Sequence, residues 1–246
     1  MPKPSKIKHQ NEGLDFPRPL TTVDMVIFAV MDDILNVLLV QRPNVMGEPF
    51  PGLWALPGGF VEVDQDRDLE AGARRKLKEK TGVISPYLEQ LGSWGSAKRD
   101  PRGWSATHVY FALIPSENLR LEKGANTADV AWCPVVGLGV KTKLAFDHAN
   151  ILQAAITRLR NKVEYTSLPV YLLPEEFTLT DLQKMYEIVL ERPIEKSAFR
   201  TRVLSAGLVD PVKKMREGPN RPAQLYRLSD PEHLVFFPRT FKPKPN

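Results

Sequence analysis

Two adjacent glycines, Gly58 and Gly59, follow the apolar run Leu53-Trp54-Ala55-Leu56-Pro57 and lead into a charged stretch ending at Gly82 and Val83. A glycine pair has no Cβ atoms in the way, so its backbone N–H groups can approach a ligand closely, as in loops that cradle phosphates. Behind it, Arg75, Lys76, Glu79 and Lys80 stand at helical spacing, with positions 76, 79 and 80 on one face. Downstream, Arg99-Asp100-Pro101-Arg102-Gly103 forms a loop between two strand-like runs. Two guanidinium forks suit a pyrophosphate, and Asp100 can accept from a ribose hydroxyl. Arg42, at the end of a predicted strand, offers a third fork, although a solvent-facing strand end explains it about as well from spacing alone. Trp54, Phe60, Trp94 and Trp104 are candidates for stacking on a base, against the commoner fate of aromatics in the core.

The elements that must position these residues follow from periodicity. A helix is predicted to start between Asp66 and Leu69 and to end at Gly82, with Leu69, Ala73 and Leu77 facing the core. Residues 22–30 and 34–42 read as two strands joined by a turn at Met31-Asp32-Asp33. A second helix is predicted from Leu144 to about Arg160, with Phe146, Ile151, Leu152, Ala155 and Leu159 as its buried stripe. His148, beside that apolar face, reads as structural rather than as a ligand contact. Residues 1–20 form a basic, proline-containing arm, 21–160 a ligand-binding domain, 161–175 an extended linker, and 176–240 a second domain.

That second domain has its own pattern. Thr178 caps a helix with Asp181 three residues on, and Leu182, Tyr186, Val189 and Leu190 keep helical spacing. A break at residues 191–194 precedes a helix from Glu195 to Ala206, stopped by Gly207. Phe199, Val203 and Ala206 would face inward, and Lys196, Ser197, Arg200 and Thr201 outward. Two short runs, 208–212 and 223–228, then complete a hairpin, so the order is that of a winged helix-turn-helix. From 192 to 227 there are nine basic and three acidic residues, an excess of six against +5 for the whole chain. Charge concentrated there suits the phosphates of DNA. Lys196, Ser197, Arg200 and Thr201 are the candidate groove contacts, and Lys213, Lys214, Arg216 and Arg221 the candidate phosphate contacts. A solvated basic face is the plainer alternative.

The chain has 246 residues, enough for one large or two small domains with a sizeable core. Cys133 is its single cysteine, which excludes an intramolecular disulfide framework and fits a reducing compartment. No signal peptide and no membrane-length apolar run is visible, so the expected location is the cytoplasm, with no membrane partner.

The stretch from Gly58 to Val83 resembles the Nudix box, in which helix glutamates bind divalent metal and assist hydrolysis of a pyrophosphate bond. Arg75, Leu77, Glu79, Gly82 and Val83 match, but Lys76 and Lys80 stand where glutamates belong, and the stretch between Gly59 and Arg75 is about two residues longer. A magnesium site needs clustered oxygen ligands, and two ammonium groups on that face would repel the cation. The expectation is therefore no catalytic residue, no metal site and no required cofactor. With the winged-helix pattern and the runs FDHANIL and RPAQLYRL, the chain is similar to the Nudix-related transcriptional regulators of NAD metabolism (NrtR). That resemblance implies an α+β chain, with a Nudix α/β/α sandwich-like domain followed by a winged helix-turn-helix domain. It also implies a homodimeric repressor on a palindromic double-stranded operator. ADP-ribose would be its effector, held by Arg42, Gly58, Gly59, Phe60, Arg99, Asp100 and Arg102. The alternatives are an active ADP-ribose pyrophosphatase, drawing on Glu62, Asp64, Asp66 and Glu70, and a protein- or RNA-binding module.

Overall fold

The computed structural model describes residues 18–82, 87–118, 128–217, 222–231 and 233–237. The expected arm therefore lies outside the described residues up to position 17, and Leu20 already belongs to the first strand. Strand β1 (Leu20–Met31) pairs antiparallel with β2 (Ile34–Gln41). Asp32 and Asp33 turn the chain between them, with φ of 49° and 62°. A two-residue turn of type I′ needs positive φ at both central positions, and aspartate tolerates that better than most residues. Short strands β3 (Trp54–Ala55) and β4 (Gly58–Phe60) pair with β2 and β1 respectively. Then come helix α1 (Leu69–Thr81) and strands β5 (Tyr87–Ser96), β6 (Ser105–Leu113) and β7 (Asp129–Pro134). The path runs β3-β2-β1-β6-β5, with β7 on β2, and β1 pairs parallel to β6, which makes the sheet mixed.

Alternation along β1 assigns its two faces. Val23, Met25, Ile27 and Ala29 pack with Ala73 and Leu77 of α1. Val26, Phe28 and Val30 pack on the other face, in the cluster holding Ile151, Leu152, Ala155 and Leu159 of α2 (His148–Val163). Side chains two apart along a strand share a face, so one β-prone run carries a helix on each side. This is the expected α/β/α sandwich. Asp68 caps α1 by accepting from Ala71 N–H, and Gly82, at φ 69°, closes it.

Helix α2 starts at His148 rather than Leu144 and runs on to Val163. Phe146 stands before it at φ 53°, outside the buried stripe expected of it. Residues 161–175 also differ from an extended linker. The last turn of α2 is followed by a 3-10 helix, Leu168–Leu172, whose five residues are all buried. Leu168, Leu172 and Leu173 belong to the same core cluster as β1 and α2, and so do Leu182 and Val203 further on. Apolar density in this segment reports burial, which an extended reading underrates.

Beyond it lie α3 (Leu179–Leu190), α4 (Lys196–Ser205) and the hairpin β8 (Val209–Arg216) with β9 (Ala223–Leu228). Thr178 and Asp181 form the expected capping box. Phe199 and Val203 are buried, but Ala206, at the C-cap of α4, is exposed. Tyr186 donates its hydroxyl to the carbonyl of Thr166 at 2.7 Å, and Lys184 pairs with Asp33 of the β1–β2 turn. The winged helix thus shares a core with the sandwich. Among the described residues no helix is long and apolar enough to cross a membrane.

A shared core predicts shared unfolding. Leu182→Ala should lower stability by about 2–5 kcal/mol in denaturant titrations and move one transition followed by fluorescence and circular dichroism alike. Two separate transitions, with only one moved, would speak for independent halves.

Candidate ligand pocket and nucleic-acid interface

The N-terminal half of β1, the end of β2, the short strands β3 and β4 and the loops around them line a cavity of about 310 Å³. Its lining includes all seven of the expected ligand residues, Arg42, Gly58, Gly59, Phe60, Arg99, Asp100 and Arg102. Gly58 is there by necessity. A Cβ at that position would lie 2.0 Å from Asp24 Oδ1 and 2.7 Å from the Val23 carbonyl. At Gly59 the nearest obstacle is the movable Lys76 ammonium at 3.2 Å.

The three arginines are not equivalent. Arg99 is a buried residue, and each nitrogen of its fork donates to a protein partner. Its Nε and Nη2 donate to Asp147 at 3.1 and 3.0 Å, Nη1 donates to Ser105 Oγ at 3.3 Å, and Asp24 lies 3.6 Å away. Arg102 donates twice to Asp100, at 3.0 and 2.7 Å, and stacks over Phe60. Arg42 donates to the Pro49 carbonyl at 2.6 Å and to Glu48 at 2.8 Å, and stacks over Phe146. Each guanidinium therefore already holds a carboxylate. Burial raises the Asp24 carboxyl, but His148, Thr107 and Arg99 outweigh it and hold the pKa below the usual range. Asp100 is likewise pushed up by burial and brought below its ordinary value by Arg102.

Sequence reading missed two residues of this pocket that matter, Asp24 and Glu48, and misplaced a third, Phe146. Asp24 lies within a run of apolar neighbours, and Glu48 lies in an unpatterned loop. Phe146 was assigned to a helix interior. His148 accepts from Leu56 N–H at its Nδ1, 2.9 Å away, which puts the ring proton on Nε2, facing Asp24 at 3.6 Å. It is structural, as expected, and it also lines the pocket. Of the aromatic candidates only Phe60 borders the cavity. Trp54 and Trp94 pack against the core, and Trp104 lies over Gly95 with half its surface exposed.

The box helix carries a network of opposite charges. Arg75 contacts Glu62, Asp66 and Glu79, all at 2.8–2.9 Å. Lys76 lies 3.2 Å from Glu62 and 3.9 Å from Glu79. Its hydrogen bonds to Arg75 outweigh burial and hold the Asp66 carboxyl below its ordinary pKa, and Arg75 is raised in return. Glu70 is engaged by Arg74. Each of these carboxylates is met by a cation of the chain itself. Among the described residues no group of three or more acidic, histidine or cysteine side chains is placed to hold a metal ion, which needs oxygens turned toward a common centre. The side chain of Lys80 lies outside the described residues.

On the winged helix, Lys196, Ser197, Arg200 and Thr201 are all exposed on α4. The Glu195 carboxylate caps that helix and also accepts from the Ser197 hydroxyl at 2.9 Å. Lys213 is exposed on the wing. Lys214 and Arg216 are exposed as well, and they pair with Glu176 and Asp181 at 2.9 and 2.7 Å. Counting charge along the chain cannot see such partners. Arg221 lies outside the described residues.

Comparisons with known proteins fit this geometry. The NUDIX domain model matches residues 19–155, and the model of the NrtR DNA-binding winged helix domain matches 169–228. The chain is 48% identical to the ADPR responsive transcriptional repressor NtrR of Acinetobacter baylyi, over 94% of this chain and 90% of that relative. The chain belongs to the NrtR family. Among solved structures it is similar to Shewanella oneidensis NrtR complexed with a 27mer DNA, with a TM-score of 0.78 and 43% identity. That likeness covers 86% of this chain and 94% of the other. The NUDIX domain of the same NrtR, complexed with ADP ribose, aligns with a TM-score of 0.52 and 44% identity, over 58% and 90% of the two chains.

Within this NrtR-family chain the two glycines should respond differently to a methyl group. Gly58→Ala should cost at least about 2 kcal/mol of stability in thermal or denaturant unfolding, because a buried carboxylate and backbone must shift. Gly59→Ala should cost well under half of that, since Lys76 can swing away. Equal losses at the two positions would refute the packing described.

Proposed function

We propose that the chain is a DNA-binding transcriptional repressor whose hold on its operator is weakened by ADP-ribose bound in the Nudix-fold pocket. The observation that carries this reading is the pairing, on one shared core, of an arginine-lined cavity with an exposed basic face on α4. The cavity suits a pyrophosphate with attached hydroxyl groups. Arg42 and Arg102, each backed by an aromatic ring, supply donors, and Gly58 and Gly59 keep the backbone close. The α4 face suits the major groove, with Arg200 and Lys196 directed to bases and Lys213 to phosphate. Family likeness supports a homodimer on a palindromic site, acting in the cytoplasm on genes of NAD synthesis or salvage. ADP-ribose is bound and not hydrolysed in this reading, since Glu62, Asp66 and Glu79 are engaged by Arg75 and Lys76. A persistent ligand suits a sensor.

The path from pocket to DNA runs through α2. Asp147 and His148 stand at its start, beside the cavity. At its other end Arg160 pairs with Glu191 of the α3 C-cap and donates to the Val189 carbonyl. Glu164 pairs with Arg192, and its carbonyl accepts from Arg202 of α4. A ligand that favours one seating of α2 biases the winged helix, by no more than its difference in affinity for the two states.

In anisotropy titrations on operator DNA, saturating ADP-ribose should lower affinity at least fivefold, with ADP-ribose recovered intact from the sample. Arg200→Ala should cost about 1–3 kcal/mol of operator affinity and reduce discrimination against random duplex. Operator affinity indifferent to ADP-ribose, or rapid turnover of it, would defeat the proposal.

A further inference from the structure

The pocket has a feature that its proposed ligand must overcome. Its lining balances Arg42, Arg99 and Arg102 against Asp24, Glu48 and Asp100, so no guanidinium waits unpaired for an anion. An incoming pyrophosphate must share a guanidinium with its carboxylate or take the guanidinium from it. The three pairs differ greatly in how readily they part. Arg99 and its partners lie inside the protein, with side-chain exposures of 4% for Arg99 and 20% for Asp147. Arg102 grips Asp100 with two donors, and that carboxylate is 4% exposed. Glu48 is 46% exposed, accepts one hydrogen bond from Arg42, and sits between Gly47 and Phe50, both at positive φ. Breaking a buried pair strands a charge, whereas an exposed carboxylate simply returns to water.

We infer that Glu48 is an internal stand-in for a phosphate group, held against Arg42 at the pocket mouth and displaced by the pyrophosphate of the effector. This rests on the ADP-ribose reading above and specifies which contact sets its affinity. The two aromatic-backed arginines are the natural cradle. Arg42 is held in place by Phe146 and by the Pro49 carbonyl, neither of which Glu48 must release. Glu48 acts on both forks. Arg102 is raised in pKa first by its bonds to Asp100, with Glu48 adding to the effect. Burial lowers the Arg42 guanidinium, and Glu48 opposes that. Rotation of Glu48 into solvent frees the Arg42 donor that it now takes, while Phe50, edge-on to Phe146 at 4.7 Å, keeps the loop anchored.

Calorimetric titration of wild type and Glu48→Gln with ADP-ribose and with inorganic pyrophosphate tests this, with Glu48→Ala as a second variant. The glutamine should bind both probes about threefold more tightly or better, and the gap should narrow at high salt. Equal or weaker binding by both variants would overturn the inference. If pyrophosphate binding tightens while ADP-ribose binds neither protein, the inference stands and the functional reading falls. If neither probe binds any of the proteins, both fall.

Discussion

A guanidinium buried between two carboxylates organises this molecule. Arg99 reaches from the loop after β5 to Asp147, at the start of α2, and to Asp24 in the central strand. An ion of that size taken out of water is costly unless its donors are met, and here Ser105 receives a further one. Removing any member would leave a charge stranded in the interior, at about 3–5 kcal/mol. Much nearby geometry follows. Asp147 occupies the N-cap of α2 but makes no capping bond, because its oxygens are turned to Arg99. Phe146 accepts a left-handed backbone so that this turn can be made, and its ring then supports Arg42. His148 settles against Leu56 N–H, and Asp24 fixes how near Gly58 must pass.

The same bridge lies in a frame that the proposed ligand site and the proposed DNA-contacting helix share. The sandwich core and the winged-helix core are continuous through the 3-10 helix at residues 168–172. Helix α2 spans that frame, with the cavity at its first turn and α3 and α4 at its last. No tether outside that core is needed for the proposed coupling. A packed interior has discrete arrangements and does not deform smoothly, so a small change at one end of a helix can matter at the other.

Local patterns were legible in the sequence and spatial partners were not. The glycine pair, the box helix, the paired strands and the Thr178–Asp181 capping box could be read because each is defined within a few residues. The pocket's arginines were found by type, yet their present carboxylate partners were not. Asp24 sits within an apolar run, and Arg99 meets Asp147 only because the chain folds back across the sheet. The ion pairs of Lys214 and Arg216 could not be read because Glu176 and Asp181 lie far upstream in the chain. Phe146 was placed in a helix because periodicity cannot report a positive φ. The buried segment 168–172 read as extended because Pro169 within it and Pro174 just beyond it break a helical pattern.

The account stands most directly on the bridge between Arg99 and Asp147, and Asp147→Asn tests it with little change of shape. The measurement is the ratio of operator affinities without and with saturating ADP-ribose, for wild type and variant, alongside each protein's affinity for ADP-ribose itself. The account predicts that the variant still binds ADP-ribose and DNA, but that its ratio falls toward one. A variant that binds both and keeps the full wild-type ratio would contradict it.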